Sequence, residues 1–186
     1  MFRMLLTGLA IMASTQGLSQ PLSQQYLQLK DKLDRPYDGY CLDVVGSGNY
    51  IQMDMPLTAH NCKGPQVYAD EVVQYRSDKS LYFPKYNACV TVMGLNDKAL
   101  AGNALMLKDC GVEQPFLNAK RFQTFKLNTK GQIQLANSHL CIAAGTESHT
   151  TYSSEHRWRS LFMTPCNEVE LKRSVWQFVP AGYHKS

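Results

Sequence analysis

The chain has no C-x-x-C pair among its six cysteines. That absence removes the usual zinc-ribbon and thioredoxin-like readings. It has no G-x-S-x-G, no H-E-x-x-H and no P-loop, so the machinery of common hydrolases, zinc proteases and NTPases is missing. "VVGSGNY" (44–50) has glycines but opens no helical pattern, so it reads as a turn rather than a nucleotide loop. No convincing helical periodicity runs anywhere. Charged residues make up only 18% and the net charge is +4, too mild and too scattered for a nucleic-acid surface. "KSLYFPKY" (79–86), basic and aromatic, reads as a solvated strand and turn.

Long apolar runs are also missing. The longest, "MLLTGLAIMA" (4–13), has ten residues, too few to cross a bilayer. It follows the positive start "MFR" and precedes "STQGLS". Gly17 and Ser19 stand at −3 and −1 of a cut before Gln20. This predicts a signal peptide over 1–19. No cysteine follows the run to take a lipid anchor. The mature chain, 20–186, is then expected to be secreted or periplasmic. Six cysteines suit that compartment, and from sequence alone they allow 15 pairings. Hydrophobic residues supply 44% of the chain, enough for one globular core.

What is present is a repeat. Cysteines stand at 41, 62, 89, 110, 141 and 166. Taken in order as pairs, they are separated by 21, 21 and 25 residues, and the first of each pair recurs after 48 and 52. A period near fifty residues marks one supersecondary unit used three times. The stretches ending at each first cysteine align without a gap: "QYLQLKDKLDRPYDGYC", "VQYRSDKSLYFPKYNAC" and "FKLNTKGQIQLANSHLC". Leu27, Tyr75 and Leu127 coincide, as do Leu33, Leu81 and Ile133. A polar turn lies between, which predicts a β-hairpin in each unit. After the cysteine come "CLDVV", "CVTVM" and "CIAA", then a loop and a strand into the second cysteine. The expectation is about four short strands per unit and an all-β fold of threefold pseudo-symmetry.

With these features the sequence resembles the ricin-type β-trefoil lectins over about residues 23–180. The triple repeat, the "CLD" start and degraded Q-x-W ends carry the likeness. Those ends are "QTF" (123–125), "SVW" (174–176) and either "EVV" (71–73) or "QVY" (66–68). The resemblance implies a single β-trefoil domain over 20–186, with repeats at about 23–70, 71–122 and 123–180. It also implies disulfides Cys41–Cys62, Cys89–Cys110 and Cys141–Cys166, and a core role for Phe125 and Trp176.

The resemblance further implies a lectin: carbohydrate binding through a shallow site, without catalysis or cofactor. The family's sugar acid lies two residues after the first cysteine. Here that position holds Asp43, Thr91 and Ala143, so only the first repeat qualifies. Four and two before the second cysteine lie Thr58 and His60, Met106 and Lys108, Phe162 and Thr164. The polar residue before the Q-x-W glutamine maps to Asp70, Phe122 and Arg173. The predicted glycan site is therefore Asp43, Thr58, His60, Asn61, Gln66 and Asp70, with Glu71 nearby. His60 stands where a stacking aromatic is usual. Asp43 also suits a turn cap before "GSG", and His60 an exposed strand position. The acids could hold a cation, but no spaced Ca²⁺ loop is present, and no metal is expected. Asp43 and Asp70 as a glycosidase pair is the enzymatic reading. The longer third unit carries "ESHTTYSSEHRWR" (147–159), expected as a loop. Tyr152, Arg157 and Trp158 there form a second candidate contact surface. It suits an alternative function, a trefoil scaffold or accessory subunit that binds another exported protein in a toxin-like assembly.

Overall fold

The structure, a computed structural model, describes residues 24–182. The expected leader, 1–19, lies outside them. The strands are β1 (Gln25–Leu29), β2 (Tyr40–Asp43), β3 (Thr58–Asn61), β4 (Gln74–Tyr75), β5 (Leu81–Phe83), β6 (Ala88–Val92) and β7 (Leu105–Asp109). After a single helical turn, α1 (Ala119–Phe122), come β8 (Phe125–Leu127), β9 (Ile133–Leu135), β10 (Leu140–Ala144), β11 (His149–Thr150), β12 (Arg157–Pro165) and β13 (Trp176–Pro180). They form a curled nine-stranded sheet in the order β13-β1-β2-β3-β12-β10-β9-β8, with β11 beside β12, and a four-stranded sheet, β4-β5-β6-β7. Among the described residues, no helix is long and apolar enough to cross a membrane.

The strand register repeats three times. Gln74 faces Tyr82, Tyr82 faces Cys89 and Cys89 faces Lys108. Lys126, Gln134, Cys141 and Thr164 form the same row. The third row is Gln177, Gln28, Cys41 and His60. This row corrects the gapless alignment in the first unit. β1 takes the place of β5 and β9, and the C-terminal β13 takes the place of β4 and β8. Leu27, not Leu33, is thus the counterpart of Leu81 and Ile133, and all three are buried.

The cause is local. In the first unit the segment between β1 and β2 is six residues longer than its counterparts. Leu33 sits in that segment at φ +52°, and its N–H donates to Asp31 Oδ1 at 2.8 Å. This Asx turn removes it from any ladder. The expected hairpin around "KDK" therefore does not form. β1 finds its partner at the far end of the chain instead.

β2, β6 and β10 are buried on both faces, at every residue. That is why "CLD", "CVTV" and "CIAA" read as continuous runs without alternation. Their apolar side chains join Leu27, Leu29, Phe83, Phe125, Leu135 and Trp176 in one core. Trp176 also donates from Nε1 to the Ile142 carbonyl at 3.1 Å, so its one polar group is satisfied. Disulfides join Cys41 to Cys62, Cys89 to Cys110 and Cys141 to Cys166. Loops of this length restrict the unfolded chain by about 3 kcal/mol each.

A groove between the first and third units

Two segments break the threefold pattern: the longer β1–β2 connection and the β11–β12 ribbon. They hold each other. The Arg159 guanidinium donates to Asp34 Oδ1 at 2.6 Å and to the Gly145 carbonyl at 3.0 Å, and lies 5.0 Å from the Tyr40 ring centre. Tyr40 Oη donates to the same Asp34 oxygen at 2.8 Å. Burial works against the Asp34 charge, but hydrogen bonds from Arg159, Tyr40 and Ser148 hold its carboxyl down at about 2. Asn61 closes the junction. Its Nδ2 donates to Asp38 Oδ2 at 2.9 Å, and its Oδ1 accepts the Arg157 N–H at 2.8 Å.

This junction seats β12 on β3, with Trp158 opposite His60 and Ser160 opposite Thr58. Trp158 is accordingly on a strand, not on a loop. Along β12, Arg159, Leu161 and Met163 turn inward at every second position, so "RWRSLFM" alternates as a strand does.

The pairing leaves a groove of about 1970 Å³. Asp43, Thr58, His60, Asn61, Lys63, Tyr152, His156 and Trp158 line it. Two candidate surfaces that the sequence offers separately therefore belong to one groove. Its rim includes Tyr37, Tyr50 and Tyr152, which are 83%, 80% and 103% exposed. The His149 and Trp158 rings lie 5.2 Å apart, and those of His60 and His156 5.8 Å apart.

The base is ionic. Asp43 is only 2% exposed. Lys63 Nζ donates to its Oδ1 at 3.0 Å and also to Asp70. The backbone N–H of Lys63 donates to Glu71 Oε2 at 2.9 Å. Burial works against the ammonium, yet Asp43, Glu71 and Asp70 hold Lys63 well above the ordinary lysine range. Burial pushes the Asp43 carboxyl up, Lys63 pulls it down, and Asp70 adds to the rise. His60 sets its Nδ1 2.9 Å from the Asn61 carbonyl. With that nitrogen donating, Nε2 is left as an acceptor. Burial first, then Lys63, pushes His60 down to about 4, so it is neutral at physiological pH. Asp43, His60 and Glu71 each bring one ligand atom within 4.8 Å of the others. The Lys63 ammonium brings a positive charge among these groups, paired with Asp43 and Asp70.

Of the predicted glycan residues, Asp43, Thr58, His60 and Asn61 line the groove, while Asp70 sits behind it on Lys63. Gln66 lies off the groove and donates to Tyr68 Oη at 2.8 Å. Of the second set, Tyr152 and Trp158 line the groove, whereas Arg157 donates to Ser148 Oγ at 2.9 Å and to its carbonyl at 2.9 Å. Sequence reasoning missed Lys63, Tyr37 and Tyr50. Nothing in composition separates Lys63 from a surface lysine. Its place directly after the second cysteine of the one acid-bearing unit was the available signal.

No protein-family model matches the chain, and a comparison with curated proteins finds no match. Among solved structures, the chain is similar to the solution structure of the mdaA-1 domain, with a TM-score of 0.60 and 16% identity over 87% of this chain and 91% of that one. That likeness concerns the fold alone. The β-trefoil lectin of the Vibrio vulnificus hemolysin/cytolysin, solved with N-acetyl-D-lactosamine bound, aligns with a TM-score of 0.49 and 16% identity over 87% of this chain and 97% of that one.

Proposed function

We propose that the chain is a β-trefoil carbohydrate-binding protein of ricin-type lineage, exported, and acting by binding without turnover. The three equivalent rows of four strands support the trefoil. Three disulfides fit an oxidising compartment outside the cytoplasm. The observation that carries the function is the groove itself, where Asp43 and neutral His60 meet Trp158 and Tyr152. Aromatic faces cover the apolar side of a sugar ring, and a few fixed polar groups take its hydroxyls. The other units offer no such set. Thr91 is fully buried and bonded to Gln123, and Ala143 has no polar group.

The test is a glycan array with oxidised protein from Gln20 onward, beside Trp158→Ala and Asp43→Asn. Selective binding that both variants lose by tenfold or more supports the groove. Binding that survives both substitutions defeats it. A second reading is favoured by the three exposed tyrosines on the rim: a groove for another exported protein. Absence of all glycan binding, with a partner captured by wild type and released by Trp158→Ala, would select it.

A further inference from the structure

The equivalent rows give the first unit an internal control. Gln123 in the second unit corresponds to Glu71 in the first, and Thr91 corresponds to Asp43. Gln123 Oε1 accepts the Gly111 N–H at 2.8 Å, one residue after the second cysteine. Its Nε2 donates to Thr91 Oγ1 at 2.9 Å and to the Asp109 carbonyl at 3.0 Å. Glu71 reproduces the first contact, since its Oε2 accepts from Lys63 N, also one residue after the second cysteine. Its other oxygen, Oε1, is fully buried and no donor reaches it. That oxygen stands where Gln123 carries its amide donor.

We propose that Glu71 is a positioning residue held neutral and proton-bearing, its Oε1–H donating to the Asp43 carboxylate as the Gln123 amide donates to Thr91. An ionised Glu71 would leave a buried oxygen unpaired beside another carboxylate, which is strongly unfavourable. A neutral Glu71 satisfies both groups and fixes Asp43 from behind. The proton belongs on Glu71 because the only side-chain cation in the cluster, Lys63, bonds Asp43 and Asp70. The groups facing Glu71 are Asp43 on β2, His60 on β3, Tyr26 on β1, and Lys63 and Asp70 from its own connection. His60 is neutral, and the Tyr26 hydroxyl accepts from the Tyr68 N–H at 2.8 Å. Burial, then the Asp43 charge, pushes the Glu71 carboxyl well above its ordinary range, with only Lys63 opposing. The third unit, with Ala143 at the acid position, needs no such donor and has Ser174 in place of Gln123.

A carboxyl whose folded pKa is raised stabilises the fold most below its unfolded value, and that contribution is lost as pH rises toward the folded one. Thermal unfolding of wild type, Glu71→Gln and Glu71→Ala is therefore followed between about pH 5 and pH 9. Wild type should lose stability relative to Glu71→Gln as pH rises, while Glu71→Gln matches it at the acid end and Glu71→Ala does not. Carbon-13 NMR of glutamate-labelled wild type should show one carboxyl still protonated at neutral pH, missing from Glu71→Gln. An ionised Glu71 at neutral pH, or Glu71→Gln as damaging as Glu71→Ala, would overturn the proposal. If Glu71→Ala does not fold, the labelled wild type and Glu71→Gln decide alone. Neither readout uses a ligand, so failure of the glycan reading leaves this result intact.

Discussion

Replacing Lys63 with methionine removes one positive charge from among three buried carboxyls while keeping most of the side-chain volume. The Lys63 side chain is 14% exposed, and those of Asp43 and Asp70 are 3% and 6% exposed. The surviving carboxylates would be left in a medium that solvates them poorly. Breaking a buried pair from one side costs about 3–5 kcal/mol. For a chain of this size each kcal/mol lowers the melting temperature by roughly 2–4 °C, so a fall of about 10 °C is expected at neutral pH. The variant can relieve the strain only by taking up a proton on folding. That uptake costs about 1.4 kcal/mol per pH unit above the unfolded carboxyl pKa. The penalty should therefore shrink to about 1 kcal/mol near pH 4, where the unfolded carboxyls are already largely protonated. Lys63 itself stays charged throughout this range, because its pKa is pushed up. Urea unfolding of oxidised wild type and Lys63→Met at both pH values measures this. An equal loss at both, or a neutral-pH loss under about 1 kcal/mol, would mean that Lys63 is a surface lysine in effect and the cluster is not ionic.

His60 gives a second pH dependence. Its folded pKa is pushed down to about 4, so the stability it allows is present above the ordinary imidazole value and lost as pH falls toward 4. Relative to wild type, His60→Gln should be less damaging near pH 4 than near pH 7, by up to about 3 kcal/mol in urea unfolding; a constant difference would refute this. Gly46, at φ +98°, begins the turn that presents Tyr50 to the groove, and a Cβ there would lie 2.2 Å from the Tyr50 carbonyl oxygen. Gly46→Ala should cost about 1–3 kcal/mol and weaken groove binding together with stability, whereas a neutral effect in thermal unfolding would show that the turn has slack.

The repeat was legible because it is written in cysteines and in strands buried on both faces. Phe125 and Trp176, expected in the core, are 0% and 3% exposed. The phase of the first unit was not. Leu33 falls at the spacing of Leu81 and Ile133, yet it lies in a turn while Leu27 fills the core. What decides between them is β13, more than a hundred residues away, and no local window contains that partner. Trp158 was misread for a nearer reason. The alternation that makes β12 a strand begins at Arg159, and an arginine at an inward position hides the pattern. Oxygens of Asp34, Gly145 and Thr146, supplied by other segments, accept from the guanidinium and make that burial possible.

Three copies of one unit also separate what the fold needs from what this chain has added. Two residues after the first cysteine stand Asp43, Thr91 and Ala143, and one residue after the second stand Lys63, Gly111 and Asn167. The second unit fills this place with a neutral threonine bonded to a neutral glutamine. The third fills it with alanine, and Gln132 donates instead to Ser174 Oγ at 2.9 Å and the Cys166 carbonyl at 3.0 Å. Both close the same strand row without a buried charge. The ion cluster of the first unit is therefore not a requirement of the architecture, and buried ion pairs add little stability over well-packed neutral groups. It also sits where the two segments that break the symmetry are clasped together by Asp34, Asp38, Asn61 and Arg159. The longer β1–β2 connection, the β11–β12 ribbon and the ion cluster all meet at the same groove. Two of the three units do without these features, and their coincidence at one groove makes that groove, rather than either degenerate unit, the place to test for binding.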